Sequence, residues 1–271
     1  MDINQKITEE LGVKKWQVDA AVKLIDEGNT IPFIARYRKE AHGTLDDEQL
    51  RKLYERLTYL RNLEEKKEQV LASIEEQGKL TPELKAQIVA AETQVLVDDL
   101  YRPYRPKRRT RATIAKEKGL EPLAVLISLQ NSKEPLEKEA EKYVSEEKGV
   151  KNVQEAIDGA KDILAENISD EADYRKRIRD LTFKKGTLVS AAKDEKAESV
   201  YEMYYDFEEP VKKLAGHRVL ALNRGEKEKF LTVKILAPEE EIIRYLEKQV
   251  IVRDNPYTIP AVSYTHLTLP T

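Results

Sequence analysis

Leucine recurs through the stretch after residue 46 at the spacing of one helical face: Leu50, Leu53, Leu57, Leu60 and Leu63, continued by Val70, Leu71 and Ile74 and stopped by Gly78. Intervals of three and four keep these side chains on one stripe, so the pattern predicts a single long helix. At about 1.5 Å per residue the seam runs for ~40 Å, which requires partner helices to cover it. Thr44, with Asp47 three residues on, marks its start.

The same periodicity predicts helices on both sides. Residues 3–11 end at Gly12 and residues 15–27 at Gly28; Trp16, Ala20, Lys23 and Leu24 recur along the second, which makes Trp16 a core anchor. Asn29-Thr30-Ile31-Pro32 offers a cap and a first-turn proline for a short helix, Phe33 to Lys39, carrying Arg36, Arg38 and Lys39. Thr81-Pro82 opens another, and residues 93–100 form one more. Pro122 begins a very apolar helix, residues 152–168 bury a stripe from Val153 to Leu164, and Ser169-Asp170 caps a helix ending near Gly186.

From 187 the pattern changes. TLVSA (187–191) and FLTVKILA (230–237) read as short strands, the second with Leu231, Val233 and Ile235 on one face, and a charged helix follows at 238–250. The expected fold is mainly α: a multi-helix N-terminal domain with a long central helix and a few short strands near 187–191 and 230–236. Its divisions are a helical domain at 1–186, the start of a central core at 187–254, and a tail at 255–271. From Asn255 onward there is no Asp, Glu, Lys or Arg, although 36% of the chain is charged, so the tail reads as non-native and dispensable.

Charge sharpens one region. The formal net charge is −3, yet YRPYRPKRRTR (101–111) holds six cations (Arg102, Arg105, Lys107, Arg108, Arg109 and Arg111) and no acid. A basic cluster on an acidic background makes a local anion site without general stickiness. Proline fixes its own φ and biases the preceding residue towards extended backbone, so the tandem Tyr-Arg-Pro suggests a polyproline turn with Tyr101 and Tyr104 on one edge. Rings beside guanidiniums suit base stacking with phosphate contacts. The segment equally fits a rigid turn whose arginines pair with Asp98, Asp99 and Glu117.

Catalytic chemistry is sparse. His42, His217 and His266 are far apart, there is no cysteine, no phosphate-cradling glycine loop and no nucleophile elbow, so neither an enzyme nor a bound cofactor or metal is expected. His42, in a loop beside Gly43, reads as structural. Gly12 and Gly149 each centre a possible helix–turn–helix, but such pairs are common packing units and residues 152–168 carry repelling acids. The N-terminus is no signal peptide and no apolar run would span a bilayer, so a cytoplasmic protein is expected.

Three stretches carry a resemblance. GNTIPFIARYRKEAHGTLDDEQLR (28–51), DDLYRPYRPKRRTRATIAKEKGLEPLA (98–124) and EEPVKKLAGHRVLALNRGEKEKFLTV (208–233) together resemble the Tex family of bacterial transcription accessory proteins, with the likeness running over about residues 1–250. The resemblance implies a cytoplasmic, helix-rich nucleic-acid-binding protein with a helix–turn–helix element in its N-terminal part. It also implies later RNase H-like, helix–hairpin–helix and C-terminal OB-fold domains, which this chain stops before. Two function classes follow. One is a non-catalytic module binding RNA or DNA through Tyr101, Arg102, Tyr104, Arg105, Lys107, Arg108, Arg109 and Arg111; the other is a scaffold docking RNA polymerase or the missing C-terminal domains.

Overall fold

The long seam folds as the leucine spacing predicts. A computed structural model of the chain describes residues 2–43, 45–106, 108–253 and 255. By compactness it divides between Tyr104 and Arg105, and each unit is described by itself.

The first unit comprises α1 (Ile3–Leu11), α2 (Lys15–Asp26), α3 (Ile31–Tyr37), α4 (Lys39–His42), α5 (Asp47–Glu76), α6 (Pro82–Ala90) and α7 (Gln94–Tyr101). Thr44, the expected start signal, lies outside the described residues; the cap of α5 is Asp46. Its carboxylate accepts from the Gln49 backbone N–H (2.7 Å) while the Gln49 side chain accepts from the Asp46 N–H (3.1 Å), a reciprocal capping box. Along the 30-residue helix Leu50, Leu53, Leu57, Leu60, Leu63, Val70 and Ile74 are buried, in a core that also takes Ile7, Val18, Ile34, Ile88 and Val97. One core position on this stripe holds a cation: Lys67 is buried, and its ammonium donates to Glu64 (2.8 Å) and to the Val89 carbonyl (2.9 Å) near the end of α6. A lysine suits that place because the last carbonyls of a helix lack intrahelical donors.

Trp16 departs from its expected place. Its side chain is 52% exposed, because the inward face of α2 is set by Gln17, Val18, Ala21 and Val22, one position round the helix from the tryptophan. His42, expected in a loop, ends α4, fully buried, with Nε2 3.2 Å from the Ile34 carbonyl. Two arginines of α5 tie down the flanking helices: Arg56 grips both carboxylate oxygens of Glu10 (2.6 and 2.7 Å) and Arg61 both of Asp26 (2.7 and 2.9 Å). These hydrogen bonds hold the Glu10 and Asp26 carboxyls below the usual carboxylate range. A carboxyl whose pKa is depressed by folding contributes stability that is complete above its unfolded value, near ~4, and lost as pH falls through the folded value. The first unit is therefore expected to lose stability below about pH 4, and Glu10→Gln should flatten that acid limb. Melting curves across acid pH check this; parallel curves for wild type and variant would contradict it.

The second unit begins with α8 (Arg111–Glu117), α9 (Glu121–Leu129), α10 (Leu136–Glu141), α11 (Val153–Asp170) and α12 (Ala172–Lys185). Ser169 and Asp170 do not cap α12 as expected. They complete α11, and Glu171, with extended backbone, makes the break. There follow β1 (Thr187–Ala192), β2 (Asp206–Pro210), α13 (Gly216–Lys227), β3 (Leu231–Leu236) and α14 (Glu239–Val250). The strands form one antiparallel sheet in the order β2-β1-β3, Thr187 facing Pro210 on one side and Leu236 on the other. Leu188, Leu222, Leu231, Tyr201 and Tyr204 make its small core. Only the start of β3 is covered: Leu231 is buried but Ile235 is 55% exposed.

Gln130 locks the end of the described chain onto α9. Its backbone is left-handed (φ 51°) and its buried side chain donates to the Val250 carbonyl (2.6 Å) while accepting from the Val252 and Arg253 N–H groups (3.1 Å each). Asn255 adds a bond to the Ser132 carbonyl (3.0 Å). The tail read from the sequence thus begins with a residue held in place; residues 256–271 lie outside those described. Mainly α is the right description, with fourteen α-helices and three strands among the described residues.

Candidate nucleic-acid interface

The basic segment 101–111 is shared between the two units, and its halves behave differently. In the first unit Tyr101 is the last residue of α7, and Arg102 is helical (φ −52°, ψ −42°) although a proline follows it. The Tyr104 N–H closes a turn on the Tyr101 carbonyl (2.9 Å), so the expected polyproline geometry is absent from this half. Packing overrides the proline bias: both rings lie partly buried against the α5 core. The Tyr101 hydroxyl is 2.9 Å from Ser73 Oγ, and the Gln77 side-chain amide donates to the Tyr104 carbonyl (3.0 Å). The tyrosines remain on one edge, three residues apart, but that edge faces α5. Arg102 is half-buried and engaged, and Asp98 pairs with Lys66 (2.6 Å).

In the second unit the described residues of the segment ahead of α8 belong to neither helix nor strand, and their cations are exposed. Arg105, Arg108, Arg109 and Arg111 are all exposed; Lys107 lies outside the described residues. Thr110 then caps α8, accepting from the Thr113 N–H (3.0 Å), while Ala112 and Ala115 are buried facing α11, where Gly159 lets the helices approach closely. This close packing fixes the helix that the arginines lead into.

Their partners are few. Arg109 bonds Glu117 at 2.9 Å, but both side chains are more than half exposed, and such surface pairs contribute ~0–1 kcal/mol and yield to competing anions. Arg111 stands 3.8 Å from Asp162. Burial pushes the Asp162 carboxyl upward and Arg111 partly offsets this, so Arg111 is in part committed to its own fold. Arg105 and Arg108 have no acidic partner among the described residues.

Neither glycine-centred helix pair has a basic outer face. On α2, Lys15 is matched by Asp2 and Asp19, and Asp26 by Arg61. On α11, Glu155 and Glu166 face Lys118 and Lys116. Among the described residues no cluster of three or more His, Cys, Asp or Glu could hold a metal, and no helix is long and apolar enough to cross a membrane.

Comparison with known proteins agrees with the motifs. Residues 1–75 match the Tex-like protein N-terminal domain, and residues 130–255 match the Tex central region-like domain. The chain belongs to the Tex family. The transcriptional accessory protein Tex of Neisseria gonorrhoeae is 44% identical over 238 residues, covering 87% of this chain and 31% of that protein. YdcI of Bacillus subtilis is 50% identical over 252 residues, 92% of this chain and 35% of that protein. A human relative, S1 RNA-binding domain-containing protein 1, is 30% identical over 244 residues, 86% of this chain and 24% of that protein. This Tex-family chain therefore spans about a third of the length of its bacterial relatives, and the basic segment falls between the two matched domains.

Sequence reasoning missed two features near this segment. The anchoring of Tyr101 and Tyr104 depends on Ser73 and Gln77, about thirty residues upstream, and leaves no local signal. The partial commitment of Arg111 depends on Asp162, which was legible only as a repelling acid on α11.

Proposed function

We propose that this chain is a non-catalytic, transcription-associated, cytoplasmic module that holds RNA or DNA by sequence-independent phosphate contacts. The contacts come from the outward half of the basic segment, with Arg105 and Arg108 foremost, Arg109 and Lys107 beside them, and Arg111 at its end. Tyr101 and Tyr104 serve as anchors of the first half. The observation that carries this reading is the exposure of Arg105 and Arg108 with no acidic partner among the described residues, in a chain of net charge −3. The names of the relatives, a transcriptional accessory protein and an S1 RNA-binding domain protein, support the same class.

The test is Arg105→Gln/Arg108→Gln/Arg109→Gln. Three lost phosphate contacts should weaken binding at least tenfold, equally across RNA strands of unrelated sequence, since phosphate contacts carry no base information. The melting temperature should stay unchanged. A variant that melts early but binds normally would instead assign the arginines to the fold.

One observation favours a second reading, a scaffold that docks RNA polymerase or another protein domain. The second unit has an open cleft of about 490 Å³ lined by Ala124, Val125, Leu129, Leu164, Tyr174 and Val250, with Val125 and Leu129 more than half exposed. Capture of polymerase that resists salt and is abolished by Leu129→Glu would support it.

A further inference from the structure

A second aromatic and cationic surface lies on α3, well apart in sequence from the basic segment. Helix α3 points Ile31, Ile34 and Ala35 at the first unit's core, with Ile34 fully buried. That orientation turns Phe33 and Tyr37, four residues apart, to the outside together, where they are 37% and 60% exposed. Their ring centroids are 5.4 Å apart, tilted at 47°. Two guanidiniums attend them: Arg38 sits 5.6 Å from the Phe33 centroid and Arg36 6.0 Å from that of Tyr37. Lys39 adds a third exposed cation. Among the described residues the one acid paired with this group is Glu40, a loose 3.8 Å contact to Arg38, and Arg36 and Lys39 have no acidic partner. Asp47 and Glu48, at the start of α5, are taken by Arg51 and Lys52.

Helix α3 meets the core through Ile31, Ile34 and Ala35, so Tyr37, and in part Phe33, forgo burial that a core position would give them. We propose that Phe33 and Tyr37 form a stacking platform for unpaired bases, with Arg36, Arg38 and Lys39 holding the adjoining phosphates of a single strand. The guanidiniums now near the rings occupy the places where cation–π attraction holds them until a base arrives. Aromatic stacking tolerates any base but requires one free of its partner, so the ligand is single-stranded nucleic acid. Three cations against one acid match a polyanion. The proposal deepens the nucleic-acid reading above but stands on a different element, and the two can fail separately.

The experiment is a fluorescence-anisotropy titration of the whole chain with labelled oligouridine, oligoadenine and a blunt duplex. The variants are Phe33→Leu/Tyr37→Leu, which keeps apolar bulk and removes the π faces, and the triple variant of Arg105, Arg108 and Arg109. The leucine variant should lose single-strand affinity by tenfold or more, keep duplex affinity, and keep the wild-type salt slope; Phe33→Leu/Tyr37→Trp, which returns one ring to the platform, should recover much of the loss. Unchanged single-strand affinity in a leucine variant with an unaltered melt overturns the platform, as does an equal loss on duplex. If polyglutamate displaces the strand equally from wild type and leucine variant, charge alone is at work and the platform again falls. Loss in the arginine variant alone leaves the basic segment and removes the platform; loss in the leucine variant alone does the reverse.

Discussion

Leu60→Ala is expected to destabilise the first unit by about 2–5 kcal/mol. Leu60 is fully buried at the middle of the α5 seam, between Leu57 and Leu63, in the core shared with α1, α2, α3, α6 and α7. Truncation removes both the transfer free energy of the lost methyl groups and the contacts of the atoms around the new void. The 30-residue helix spans the unit and cannot shift locally to close it. Against a typical total of about 5–15 kcal/mol, this is a large share. Trp16, the single tryptophan, lies in this unit, so its emission in a urea titration reports the right transition. The midpoint should fall well below that of the wild type; coincident curves would contradict the placing of the core.

Gly186→Ala is expected to cost ~1–3 kcal/mol in the second unit, through overpacking. The backbone at Gly186 is ordinary (φ −71°, ψ 157°), so any residue could adopt it. Space is the constraint. Its N–H bonds the Thr182 carbonyl (2.7 Å), ending α12, and its carbonyl accepts from Val211 (3.0 Å). An added Cβ would meet the Thr182 carbonyl oxygen and stand 3.2 Å from that of Leu236. Both obstacles are backbone, one in a helix and one in the sheet, so neither can swing aside as a side chain would. The variant should lower the midpoint of the far-ultraviolet melt. A neutral result would mean that the helix-to-strand junction relaxes freely.

Local chemistry made most of the fold legible. Gly12 stops α1 in a left-handed conformation, Thr81 caps α6 with Pro82 behind it, and Leu50, Leu53, Leu57, Leu60 and Leu63 of α5 are buried with Leu71 partly so, because each signal depends on residues within one or two turns. Strand β2 was not read: its five residues, DFEEP, have little apolar alternation and end in proline, and its place is set by pairing with β1. Helix α13 also went unread, since its sequence buries only Leu222 and Gly225. Lys67 and Gln130 were invisible for the same physical reason, namely that each earns its place through a partner distant in sequence, Val89 or Val250. Of the candidate site, the exposed arginines were legible as a charge run, while the fate of the tyrosines was decided by α5.

The salt dependence of single-strand binding tests the central claim most directly. Counterions released from a single strand give a slope of about −0.7 per phosphate contact in a plot of log affinity against log salt. The wild-type chain should give a steep straight line. Neutralising Arg105, Arg108 and Arg109 should flatten it by about 2, since three contacts are removed. A wild-type line without slope, or the same slope in a folded triple variant, would contradict the assignment of phosphate binding to the basic segment.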